Sequence, residues 1–197
     1  MLNKWFLLLL VIFLAGCNSN SNETLEVVTI GQFEAFVTET NYVTDAEKYG
    51  WSIVQDDVYQ FRTVNNATWR IPNGKDSIQS KKLPVTQVSY NDAMAYCSWA
   101  KKKLPTYNQY WNLAEKDTRR IISDNNFPIS NVDQVNTIGN VWEITSSIKN
   151  KNVRLAGGSL FCSVTTCDGT SKDRVLYVDK ETANINIGFA VIGASKD

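Results

Sequence analysis

RLAGGSLFCSVTTC, from Arg154 to Cys167, is the stretch on which the reading of this chain turns. A strand-like run, Val153 to Leu155, meets the pair Gly157-Gly158, whose missing side chains permit positive φ and close backbone approach. A second apolar run ends at Cys162, and Cys167 follows five residues later. Two thiols this near in sequence can meet across one bend. Three outcomes stand open: a disulfide, a soft-metal site or no joint role.

The rest of the chain narrows what this stretch can do. Of 197 residues, 20 are Lys or Arg and 20 are Asp or Glu. No bulk charge draws the protein onto nucleic acid or an acidic surface. The length suits one globular domain. There are 4 cysteines and no histidine. That absence excludes Ser-His and Cys-His pairs, histidine zinc sites and facial-triad iron.

The N-terminus combines Lys4, an apolar run from Trp5 to Leu14, and Ala15-Gly16-Cys17. This is the pattern of a secretory signal, and the run is too short for an ordinary spanning helix. Leu14 to Cys17 resembles the bacterial lipobox. The resemblance implies cleavage before Cys17 and a diacylglycerol on its thiol. Residues 1–16 would then be a lipoprotein signal peptide, 17–26 a lipidated tether and 27–197 the folded domain. Asn18 to Glu26 is polar, as a flexible spacer requires. The expectation is a palmitate-type lipid-anchored protein of the cell envelope, held to the membrane through Cys17. Asn18 is not the aspartate of inner-membrane retention, so in a Gram-negative cell the expected site is the outer membrane, facing the periplasm. Disulfides persist outside the cytoplasm. With Cys17 acylated, Cys97, Cys162 and Cys167 remain, and an odd count leaves one thiol free unless it pairs between molecules.

Thr24 to Ile30 alternates and is rich in β-branched residues, which predicts a strand. Phe33, Phe36 and Val37 fall at helical spacing within Gln32 to Glu39, and a short second helix is expected before Trp51. Val58 to Val64 reads as a strand, and Asn65 to Lys82 as a long irregular loop. Ser89 and Asp92 resemble a capping box, followed by Ala93, Tyr96, Cys97 and Ala100 on one helical face. Cys97 reads as a small buried hydrophobe. Lys101 to Lys103 reads as a solvated helix end suited to the dipole. Thr106 and Gln109 open the next helix, whose face is Tyr110, Trp111, Leu113 and Ala114. A further strand is expected over Arg174 to Val178.

Several stretches together resemble the formylglycine-generating enzyme (sulfatase-modifying factor) family. Phe33 to Trp51 is similar to its F-x-x-F-V opening and the T-x-Y-x-T-x-A-E-x-x-G-W run. Pro84 to Leu113 is similar to P-V-x-x-V-S-x-x-D-A-x-A-Y-C-x-W-A-x-K-x-L-P-T. Asn136 to Glu143 matches N-x-x-G-N-V-W-E, Val153 to Cys167 matches R-x-x-G-G-S-x-x-C-x-x-x-x-C, and Asn186 to Phe189 matches N-x-G-F. The resemblance implies an α+β, irregular, C-type-lectin-like fold, here shortened. It implies O2-dependent oxidation of a peptide cysteine to formylglycine in a sulfatase-type polypeptide. Cu(I) would be held by Cys162 and Cys167, with Ser159 hydrogen-bonding nearby and Trp142 lining the pocket. It also implies a calcium site from the side chains of Asn136 and Glu143 and the carbonyls of Gly139 and Val141, where the alternative is a turn with no ion.

This chain departs from the family pattern in four places. Glu115 to Val135 replaces a longer segment with its Y-P-W-G motif and a further calcium site. Asp168 to Arg174 stands where an arginine-rich run is usual. The terminal G-F-R is Gly188-Phe189-Ala190, and the partner of Cys97 is missing. These losses motivate a second reading, a non-catalytic lectin-like binding or scaffold lipoprotein with an envelope protein or glycan as partner. Iron-dependent relatives of this fold need histidine ligands, which the chain lacks.

Overall fold

The computed structural model describes residues 23–77, 80–121, 129–162 and 171–194. Its main sheet takes strands from both ends of the chain. β1 (Glu23–Val27), β4 (Trp142–Lys149), β5 (Asn152–Ala156), β6 (Leu176–Val178) and β7 (Ile187–Ala194) form it, in the order β1-β7-β4-β5-β6. β4 and β7 run parallel, and the other neighbours run antiparallel. A separate hairpin joins β2 (Trp51–Asp57) to β3 (Gln60–Asn65). Four helices, α1 (Ile30–Thr40), α2 (Asp45–Tyr49), α3 (Tyr90–Ala100) and α4 (Tyr107–Ala114), complete the described elements.

Local chemistry starts each helix. Thr29, Thr44, Ser89 and Thr106 each accept a hydrogen bond from the N3 backbone, while the N3 side chain reaches back to the cap. Each box satisfies two otherwise orphaned N–H groups. The boxes at Ser89 and Thr106 are where the sequence places them. The Thr29–Gln32 box starts α1 at Ile30, so the first strand stops at Val27.

Two further boundaries differ from expectation. The stretch read as one strand from Val58 is the second arm of a hairpin whose first arm, β2, precedes it. Glu23 to Glu26, polar and assigned to the tether, instead pair with Ala194 to Val191. Backbone pairing, indifferent to side-chain polarity, holds them in the sheet.

The core fills the space between the main sheet, α1 and α3. Phe33 lies among Phe36, Trp69, Tyr96 and Phe189, with ring centroids 5.3, 5.4, 6.0 and 6.3 Å away. The Phe33–Tyr96 pair is stacked and the other three are edge-to-face, and both geometries add to burial of the rings. Cys97 belongs to this cluster as a free buried thiol, and burial pushes its pKa up to about 11. Tyr110, Trp111 and Ala114 of α4 pack a second cluster with Ile138 and Ala156. Leu113, expected on that buried face, is only half-buried.

One polar network ties α2 to the start of α3. Asp92 is fully buried; its Oδ1 accepts from Tyr42 Oη and Asp45 N, both at 3.1 Å, and its Oδ2 accepts from Ser89 N at 2.9 Å. Asp45 accepts in turn from Ser89 Oγ at 2.7 Å, Asn91 Nδ2 at 3.0 Å and Lys48 Nζ at 3.0 Å. Burial pushes the Asp92 carboxyl up to about 6. Burial also works against ionised Asp45, but bonds from Ser89, Asn91 and Lys48 hold its carboxyl below the ordinary value.

Candidate functional site

β5 is followed by Gly157 (φ 85) and Gly158 (φ 70), both in the left-handed region. A Cβ on Gly157 would lie 2.2 Å from Tyr110 Oη, so the turn also needs the missing side chain for packing. Gly157 O accepts from Gly139 N at 2.7 Å, and Leu160 N donates to Asn140 O at 3.3 Å. The Gly-Gly-Ser turn is thus bonded to the N-x-x-G-N-V-W-E loop.

Ser159 is fully buried. Its Oγ accepts from Asn186 Nδ2 at 2.9 Å, and the same amide donates to Gln55 Oε1 at 2.7 Å. Gln55 Nε2 donates to the carbonyls of Asp57 and Val58 at 3.1 and 3.2 Å, fixing the hairpin turn. Cys162 N closes a tight turn onto Ser159 O at 2.7 Å. Cys162 is buried and disulfide-bonded, and its sulfur partner lies outside the described residues. Cys167 and Cys17 both fall there. Trp142 is buried in the same apolar cluster as Cys162, and its backbone N–H donates to Asn186 O at 2.8 Å. Ser159, Cys162 and Trp142 are therefore linked through short bonds, with Asn186 at the centre.

Asn186 and Gln55 are site residues that the sequence reading did not single out. Asn186 was in view within N-x-G-F, but its role is set by a partner 131 positions away, for which Gln55 carries no local signal. Buried acceptors are left over here. Asn184 Oδ1 and Asn186 Oδ1 have no hydrogen-bond partner among the described residues.

The proposed calcium residues form a second group. Asn136 is fully buried and bonded within its own surroundings. Its Nδ2 donates to Ala114 O at 3.2 Å and Asp117 O at 2.7 Å, and its Oδ1 accepts from Ile138 N at 2.9 Å. Glu143 is buried beneath Thr137, whose Oγ1 donates to Glu143 Oε1 at 2.9 Å. Glu143 Oε2 has no partner among the described residues. Burial pushes its carboxyl up to about 8, although the Thr137 bond works the other way. Gly139 has φ 86, and Val141 is fully buried. A buried carboxyl of this kind either holds its proton or needs a cation, so Glu143 fits calcium chemistry. The amide oxygen of Asn136 is already committed to one bond. No group of three Cys, Asp or Glu side chains placed to hold a metal occurs among the described residues.

The five-stranded mixed sheet, the sparse helices and the Gly-Gly-Ser-x-x-Cys turn built on β5 define a shortened, lectin-like α+β domain. The chain belongs to the sulfatase-modifying factor enzyme 1-like family, whose model matches residues 24–131. The turn with Cys162 lies beyond that match. The inactive C-alpha-formylglycine-generating enzyme 2 of Bos taurus is 29% identical over 222 aligned positions, covering 82% of this chain and 73% of that protein. The formylglycine-generating enzyme of Bos taurus is 31% identical over 173 positions, covering 60% and 46%. That of Thermomonospora curvata is 41% identical over 102 positions, covering 43% and 33%. Among solved structures, PvdO from Pseudomonas aeruginosa has the same fold with a TM-score of 0.58 at 13% identity, over 85% of this chain and 78% of that one. The expected family and fold class are both borne out.

Proposed function

We propose that this protein is a lipid-anchored envelope protein whose Gly-Gly-Ser-x-x-Cys turn, once reduced, oxidises a cysteine of a sulfatase-type polypeptide to formylglycine. The observation that carries the reading is the Ser159 hydroxyl, fully buried, fixed by Asn186 and bonded through its own carbonyl to Cys162. Ser159 Oγ accepts from Asn186, so its proton is directed elsewhere and can be donated to an incoming sulfur or oxygen atom. Trp142 and the surrounding core keep water away from the thiol.

Reduced Cys162 and Cys167 suit Cu(I), which accepts two thiolates without histidine. Bound copper would supply O2 activation. The balance is fixed by the products. The substrate carbon loses two electrons and its sulfur leaves as sulfide. O2 takes four electrons, so an external thiol pair supplies the other two. The disulfide at Cys162 is the oxidised form of a donor and must be opened before metal can bind.

The first test is Cu(I) competition titration of the reduced protein, followed by mass spectrometry of sulfatase-type peptides incubated with copper and thiol. Tight one-to-one binding and a peptide aldehyde, both lost in Cys162→Ser and Cys167→Ser, are the expected results. Absence of the aldehyde with copper supplied sinks the oxidase reading.

A second reading is favoured by two observations. Cys162 is disulfide-bonded, and a relative matched over most of this chain carries the name of an inactive enzyme. In that case the protein is a non-catalytic scaffold or binding lipoprotein, indifferent to copper, and a Cys162→Ser strain behaves as wild type.

For the Asn136–Glu143 loop, the buried Glu143 Oε2, without a partner among the described residues, supports a calcium site. Millimolar calcium should raise the melting temperature of the wild type and leave Glu143→Gln unchanged. An equal response in both removes Glu143 from the site.

A further inference from the structure

A cleft of about 690 Å³ opens where the described chain begins. Its wall includes Glu23, Met94, Lys101, Lys102, Lys103 and Ile192. The fold assembles them from three places. Glu23 opens β1 and pairs with Ala194 near the end of β7. Lys103 O accepts from Ile192 N at 2.9 Å, which holds the lysine run against β7. Lys101 caps α3 in the left-handed conformation (φ 55), on the face that carries Met94 two turns earlier.

The side chains are left ready for an outside partner. Lys101 and Lys103 are exposed and make no ion pair among the described residues. Lys102 is partly neutralised by Glu26 at 3.3 Å. Met94 is 42% exposed, a flexible apolar side chain in a wall where three lysines stand against the single carboxylate of Glu23. Of the three lysines read from sequence as a solvated helix end, at least two point to a surface with both charge and an apolar contact.

We propose that this cleft takes the anionic headgroup of a phospholipid in the bilayer that carries the Cys17 anchor, with Met94 entering the acyl boundary. The proposal rests on the lipoprotein reading given above. The occupant follows from reach and charge. From Cys17 to Glu23 the chain can span at most about 20 Å, so the face around Glu23 stays close to the lipid surface. Lysine ammoniums are point donors to phosphate, and their long stems extend toward headgroups. Anchoring turns the contact into an intramolecular one at millimolar effective concentration, so a weak headgroup site is occupied.

The chain has 2 methionines, Met1 and Met94, and signal cleavage removes the first. Biosynthetic replacement of methionine by its diazirine analogue therefore puts the photoprobe of the mature lipoprotein at Met94. The protein is reconstituted in vesicles of phosphatidylglycerol and phosphatidylcholine, or of phosphatidylcholine alone, and irradiated. Lipid adducts at residue 94 are expected in the anionic vesicles. They should fall about tenfold in neutral vesicles and in Lys101→Glu/Lys103→Glu. The mass of the N-terminal peptide separates the two ways of failing. An unacylated Cys17 overturns the lipoprotein reading and this proposal with it. An acylated Cys17 with no lipid adduct, with adducts indifferent to charge, or with protein adducts instead, overturns the headgroup site alone.

Discussion

At the α2–α3 junction the buried carboxylates meet a full set of donors, whereas around the Gly-Gly-Ser turn buried acceptors outnumber them. Asp92 receives three hydrogen bonds and Asp45 another three. At the turn, one amide of Asn186 serves both Gln55 and Ser159, while Asn184 Oδ1, Asn186 Oδ1 and Glu143 Oε2 have no partner among the described residues. Satisfied networks rigidify a fold. Unsatisfied buried oxygens cost stability and mark where a cation, a water or a substrate donor can add. The difference separates scaffold from candidate site within one small domain.

The comparison can be broken most directly at Asp92. Asp92→Ala strips the acceptor from Tyr42, Asp45 and Ser89 and should cost about 3 kcal/mol in urea unfolding. A loss under about 1 kcal/mol would mean that the junction is held by apolar packing alone. Gly157→Ala should come next, at about 2–3 kcal/mol, because a side chain there meets both an unfavourable φ and Tyr110 Oη. Tyr110→Phe in the same chain should restore part of that loss; no recovery would assign the whole cost to the backbone.

Asn186→Ala tests the site side and should cost about 2 kcal/mol, less than Asp92→Ala, because it removes two hydrogen bonds rather than three. It should nonetheless abolish peptide oxidation. If it proves as destabilising as Asp92→Ala, the turn is scaffold too.

The remaining effect is a slope. Glu143 is raised from 4.5 to about 8, and Asp92 from 3.8 to about 6. Over those windows the folded chain binds more protons than the unfolded one, so stability falls as pH rises. In calcium-free buffer, Glu143→Gln should remove the decline between about pH 6 and 8 and leave the Asp92 part below it. A wild-type profile flat over that range would show Glu143 ionised and compensated.

How much of this was legible depended on the range of the interaction. Ser89–Asp92 and Thr106–Gln109 act across three residues, and both boxes stand where their letters put them. Phe33, Phe36, Tyr96 and Cys97 are buried as helical periodicity requires. The Gly157-Gly158 pair announced its positive φ. By contrast, β2 lay hidden because Trp51–Asp57 alternates poorly, and the pairing with β3 defines it. Leu113 sat on the right face of α4 but beside an open cleft.

Sequence alone determined the family, the starts of α3 and α4 and the aromatic core, because each is written in local spacing or side-chain type. Only the tertiary structure decided that Glu23 to Glu26 join the sheet, that Gln55 and Ser159 share the amide of Asn186, that Glu143 is buried with one oxygen unpartnered among the described residues, and that three lysines line one cleft with the start of β1. Those outcomes depend on contacts between distant segments, where backbone pairing and burial override what a residue's own neighbours suggest.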